Sequence, residues 1–191
     1  IYEAGLWMHG VLDGKTGEWV SGMTKDSTRW IHQCREKGSQ PGFGVKETSQ
    51  FLIAKSTDDG QTWNPPVNIT EQTKRKEWWL YAPAPGHGIT LQDGTHVFPT
   101  QGRDKDGHPF SNITWSKDGG KTWSASNPAI TNVTECMAVQ LSDGNIMLNM
   151  RDNRNRGNKE ENGRRVCITS DLGKTWTEHP TSRKALIEPT C

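Results

Sequence analysis

Three copies of one eight-residue turn limit what this chain can fold into more than any other feature. They read STDDGQTW from Ser56 to Trp63, SKDGGKTW from Ser116 to Trp123, and TSDLGKTW from Thr169 to Trp176. The shared pattern is Ser/Thr-x-Asp-x-Gly-x-Thr-Trp. Its tryptophans lie 60 and then 53 residues apart, a period that marks repeated supersecondary units such as propeller blades. The chemistry is that of a tight turn. The carboxylates of Asp58, Asp118 and Asp171 accept hydrogen bonds from backbone N–H groups just ahead of them. The glycine allows a bend that a Cβ hinders, the threonine ties the two arms, and the tryptophan supplies an apolar anchor.

A second repeat runs in phase with the first. Gly88–Pro99 and Ala138–Leu148 each carry an Asp-Gly turn, at Asp93 and Asp143, between alternating apolar residues, which predicts a β-hairpin. Short apolar runs precede each box, at 51–55, 111–115 and 165–169. The blade plan is therefore hairpin, connector, third strand, Asp box, fourth strand. Taken as two-residue turns, the Asp-Gly pairs put Cys136 opposite Arg151, Glu135 opposite Asp152, and Gly86 opposite Gln101. Ile1–Trp7 reads as a second strand whose partner is missing. A polar stretch over 13–46 is long enough to wall a binding site or to be an inserted loop.

Composition agrees with an all-β chain of short strands. Mean hydropathy is −0.83 and only 31% of residues are hydrophobic. Disordered chains of that polarity are poor in aromatics, whereas this one has nine Trp at patterned positions. The 191 residues fit part of a single domain, 1–191. A net charge of +1 gives no field for nucleic acid, and no apolar run approaches a membrane span of roughly 20 residues. Cys34, Cys136, Cys167 and Cys191 lack zinc spacing and read as free or buried thiols. Asn68, Asn112 and Asn132 head glycosylation-type triplets. The opening at Ile1 without Met fits a true start upstream.

Three carboxylates in one repeated turn cannot converge on one substrate, so Asp58, Asp118 and Asp171 are structural. Glu135 and Arg151 differ: the hairpin makes them diagonal neighbours at its open end. On spacing alone they are equally a strand-end ion pair, and Arg151 is equally the first of a basic run with Arg154, Arg156, Arg164 and Arg165. Aligning the hairpins puts Gln101 at the strand end equivalent to Arg151, as a ligand contact or a polar loop residue. Propeller symmetry directs both, with Trp7, to one face and the Asp boxes to the opposite rim. His9, His32 and His87 read as structural or surface histidines.

The boxes and longer strings resemble the Asp-box exo-sialidases (neuraminidases) of Bacteroides-type bacteria. The strings are Ala84–Leu91, Phe98–Gln101, Asn132–Cys136, Met147–Arg154 and Glu188–Cys191. The resemblance implies an internal fragment, about three to four blades, of a six-bladed β-propeller. It further implies hydrolysis of terminal sialic acids from glycoconjugates with retention, through a tyrosyl-enzyme intermediate. It assigns Glu135 as the glutamate beside the nucleophilic tyrosine and Arg151 as one of three arginines that grip the substrate carboxylate. The nucleophile, the acid/base aspartate and the other two arginines fall outside this chain, because neither Tyr2 nor Tyr81 sits in the nucleophile's context. No metal or organic cofactor is implied. A secreted, periplasmic or cell-surface location is expected, as is self-association if the chain stands alone with raw sheet edges. The competing reading is a non-catalytic Asp-box propeller that binds glycans or a protein.

Overall fold

The computed structural model describes residues 11–12, 19–20, 39–44, 47–154 and 163–180, in two compact units, Ile1–Leu80 and Tyr81–Cys191. Trp7, His9, His32, Cys34, Arg156 and Cys191, and most of the 13–46 stretch, lie outside the described residues.

In the first unit β1 (Val11–Leu12) pairs antiparallel with β2 (Trp19–Val20), and β3 (Leu52–Ile53) with β4 (Val67–Asn68). The first Asp box joins β3 to β4, as a third-to-fourth-strand connection should. One turn of helix follows, α1 (Thr70–Thr73), and Phe51, Ile69 and Trp78 are buried around it. The Thr70 hydroxyl accepts the Phe51 N–H at 2.8 Å, which ties β3 to α1.

The second unit holds two whole blades. In the first, β5 (Tyr81–Pro83) and β6 (Ile89–Thr90) pair with β7 (His96–Arg103), which pairs with β8 (Pro109–Ser116). The outer position on β8 is shared by β9 (Ser124–Ala125) and β10 (Ile130–Thr131). The second blade is a simple meander of β11 (Val133–Gln140), β12 (Ile146–Asp152), β13 (Arg164–Thr169) and β14 (Thr177–Glu178). Every pairing is antiparallel, and the described residues form no closed barrel. With β3 and β4 they amount to two blades and the outer half of a third.

The blades stack because their strands carry apolar side chains where the sheets meet. Val97 and Ile113 of the first blade join Val133, Cys136, Ala138, Leu148 and Met150 of the second in one core, with β11 lying against β7 and β8. Cys136 and Cys167 are buried, the Cys136 thiol donating to the Thr100 carbonyl at 3.3 Å, and burial pushes Cys167 up to about 11. Asn112 is fully buried: its carbonyl accepts from Thr100 at 2.7 Å and its amide donates to the Ser126 carbonyl at 3.0 Å. That triplet is thus closed to modification in the folded chain.

Each Asp box forms as expected. The three carboxylates accept the backbone N–H of Thr62, Thr122 and Thr175 at 2.9, 2.9 and 3.0 Å, and the hydroxyls of the same threonines at 2.6, 2.6 and 2.7 Å. The leading Ser56, Ser116 and Thr169 do more than the sequence reading assigned. Their oxygens accept the N–H of Gly60, Gly120 and Gly173 and donate to the aspartate. The residue before each glycine is left-handed as well, at φ 55°, 71° and 56° for Asp59, Gly119 and Leu172.

Three expected pairings need correction. The Asp-Gly turns take three residues, not two. Leu91 and Leu141 donate to the carbonyls of Thr95 and Asn145, and Gly94 and Gly144 sit at φ 84° and 85°, the left-handed residue of a three-residue hairpin loop. Cys136 therefore faces Met150, not Arg151, and Asp152 pairs with Val133, not Glu135. In the preceding blade Gln101 faces Ala82, not Gly86. There the inner strand is broken into β5 and β6; Ala84 still donates to the Pro99 carbonyl at 2.9 Å, and the register shifts over the residues that follow.

Candidate active site

Glu135 is placed by a β-bulge. Cys136 pairs with Met150 and Val133 with Asp152, so Thr134 and Glu135 together oppose the single residue Arg151. Bulges redirect side chains and recur beside functional sites. Here the bulge brings the Glu135 carboxylate onto Arg151, whose Nη1 donates to Oε2 at 3.0 Å. The side chains keep 46% (Arg151) and 34% (Glu135) of their exposure, so the pair is open to solvent. An exposed pair contributes roughly 0–1 kcal/mol, too little for the fold to depend on it.

One further cation borders the pair. Arg164 lies directly across the β12–β13 ladder from Arg151, and like charges in that relation are unfavourable. Its Nη1 reaches the Glu135 carbonyl at 3.5 Å. Arg164 and Arg165 are buried strand residues, which corrects their reading as part of a solvated basic run. Arg165 is held by Glu178 at 2.9 and 2.6 Å. Next to Arg151, burial raises the Asp152 carboxyl, but the Arg154 side chain and N–H outweigh it and hold the group below the usual range.

Gln101 and Arg151 are the sixth residues of β7 and β12. In each blade the first residue of that strand, His96 or Ile146, pairs with the first residue of the Asp box, Ser116 or Thr169. Five strand steps, about 17 Å, separate the box from Gln101 or Arg151. Asp118 and Asp171 thus sit at the blade end opposite Glu135, as expected, and take no part in its site. Gln101 is half-buried. His87 is exposed, with Nδ1 at 3.0 Å from the Gly88 carbonyl.

Tyr81 is not a nucleophile in waiting. Its ring is 1% exposed and its hydroxyl meets Thr100 at 2.9 Å, Asn112 at 3.2 Å and Thr114 at 2.6 Å. Burial pushes the phenol up to about 12, so it stays neutral. The sequence reading missed Ser111 and Asn153, which hold Thr134 beside Glu135, and Arg164, which reaches the Glu135 carbonyl. These contacts depend on a bulge and on neighbouring strands, and no local pattern announces them.

Phased antiparallel blades, each with an Asp box between its third and fourth strands, define an Asp-box β-propeller architecture. The chain belongs to the BNR repeat-like domain family, whose pattern matches residues 19–188. It is 49% identical to a sialidase of Bacteroides fragilis over 91% of its own length and 29% of the relative's. It is 28% identical to a sialidase of Paraclostridium sordellii, over 92% of this chain and 38% of that one. Among solved structures it resembles the Hadza microbial sialidase Hz136, with a TM-score of 0.75 and 42% identity over 95% of this chain and 34% of that one. The chain thus spans about a third of the length of the sialidases it matches.

Proposed function

We propose that this chain is part of the catalytic propeller of an exo-α-sialidase, a glycoside hydrolase that removes terminal sialic acids from glycoconjugates, and that 1–191 belongs to one such domain. The observation that carries the reading is the Glu135–Arg151 pair, 3.0 Å apart at the blade end opposite the Asp boxes. Sialic acid bears a carboxylate on its anomeric carbon. A planar guanidinium grips that group through two parallel N–H bonds, which is the role of Arg151, with Gln101 a further polar contact from the neighbouring blade. A tyrosine supplied by the rest of the protein attacks the anomeric carbon while the bond to the aglycone oxygen breaks. A phenol is a weak nucleophile at a pKa of roughly 10, so Glu135 takes its proton. An aspartic acid elsewhere protonates the leaving oxygen. Water then cleaves the tyrosyl–sugar bond, which gives retention. Sialidases depart from the two-carboxylate scheme of most glycosidases in this way. Sialylated glycoconjugates as substrates fit a secreted, periplasmic or surface location.

The test is release of a fluorescent aglycone from an α-sialoside by the full-length protein. Glu135→Ala should lose at least about tenfold in kcat, roughly 1.4 kcal/mol, with KM little changed. Arg151→Ala should lose as much in kcat/KM and raise KM as well. Wild-type protein that binds sialosides without cleaving them would instead make this a glycan-binding propeller.

A further inference from the structure

The bulge that carries Glu135 is fixed by contacts from three directions. The Ser111 hydroxyl, from β8 of the preceding blade, donates to the Thr134 carbonyl. The Asn153 side-chain amide donates to Thr134 Oγ1 at 2.7 Å, and the Asn153 N–H donates to the Asn132 carbonyl at 2.9 Å. Arg164 reaches the Glu135 carbonyl at 3.5 Å. Asn132 holds a left-handed φ of 61° just before β11 and donates to Pro109 at 2.7 Å. A bulge left to itself is a soft place in a ladder, because its extra residue is unpaired. This one has a polar partner on each of its two carbonyls and on the side chain between them.

We infer that Thr134 is a positioning residue: its hydroxyl, held by Asn153, fixes the bulge and thereby the Glu135 carboxylate against Arg151. The inference rests on the sialidase reading for its kinetic consequence, but not for its geometric one. A base displaced by about 1 Å can lose up to a hundredfold in rate, so the effect falls on turnover and not on ground-state binding.

Thr134→Val keeps the shape and removes the hydrogen-bond acceptor; Thr134→Ser restores it. In the full-length protein assayed on an α-sialoside, Thr134→Val should lower kcat by about fivefold or more with KM within about twofold. Thr134→Ser should recover most of that loss. Crystal structures of both variants give a readout independent of activity. The Glu135 carboxylate should leave hydrogen-bond distance of Arg151 in Thr134→Val and remain there in Thr134→Ser. If wild-type protein lacks turnover, the function proposal fails and the crystal structures alone decide the positioning. Unchanged kcat, a loss that serine does not rescue, or a Glu135–Arg151 distance still at 3.0 Å in the valine variant would each overturn the inference.

Discussion

Glu135 and Arg151 are sixteen residues apart in sequence and 3.0 Å apart in space. Their meeting was legible because an Asp-Gly turn at 143–144 folds the chain back on itself. Their opposition was not, because two irregularities intervene: a three-residue loop shifts the ladder by one step, and the bulge shifts it again. Tyr81 shows the other side of residue-scale reading. Its context excluded it as a nucleophile, and the structure gives it a load in the fold. Tyr81→Phe leaves Thr100, Asn112 and Thr114 short of a buried partner and should cost about 1–3 kcal/mol. Urea denaturation of the two proteins measures it; equal stability would mean that the hydroxyl network re-forms without the phenol.

At the scale of elements, the Asp box was the most legible part of the chain, since each residue in it has a reason. The leading Ser or Thr escaped notice because its hydrogen bond closes only once two successive residues turn left-handed, which the spacing does not reveal. The boxes also set an acid limit. The Thr62 hydroxyl, the Thr62 N–H and the Ser56 hydroxyl, in that order, lower Asp58 from 3.8 to about 2. Asp171 falls to about 2 through the N–H and then the hydroxyl of Thr175, helped by Thr169. Asp118 is held well below the carboxylate range by the Thr122 hydroxyl and N–H and by Ser116. A carboxyl lowered by folding contributes stability in full above its unfolded pKa and loses it as pH falls through the folded value. Stability measured by denaturant should therefore be level down to about pH 4 and drop between about pH 4 and pH 2. Thr122→Val removes the largest cause at Asp118 and should make that drop shallower; an identical acid limb would show that the boxes do not set it.

The two blades of the second unit are held together where they touch. Asn127 of the first blade bridges to the third box: its N–H donates to Gly173 at 3.0 Å, its amide donates to Lys174 at 2.7 Å, and its carbonyl accepts from Trp176 Nε1 at 3.1 Å. A Cβ on Gly173 would come within 2.4 Å of the Ser126 Cβ, whereas one on Gly144 would meet nothing within 4 Å. Both glycines are left-handed, at φ 75° and 85°. Gly144→Ala should cost only that backbone strain, about 1–2 kcal/mol, and Gly173→Ala clearly more, because it also pushes the blades apart. Equal losses in denaturation would mean that the blades separate without resistance. The phasing of the two whole blades could be read from the repeats, since each Asp-Gly turn and box falls at a set place. The broken inner strand at 84–88, the divided outer strand of the first blade and this inter-blade bridge could not. They depend on how neighbouring sheets fit, which no single repeat encodes.

We propose that Arg151 and Glu135 line a sialic acid site at the blade end opposite the Asp boxes. A crystal structure of the full-length protein with bound sialic acid decides the matter. The sugar carboxylate should lie about 2.7–2.9 Å from the Arg151 guanidinium nitrogens, with the Glu135 carboxylate beside the nucleophilic tyrosine. A sugar bound elsewhere, with the Glu135–Arg151 pair undisturbed, would make that pair a strand-end ion pair and not a sialic acid site.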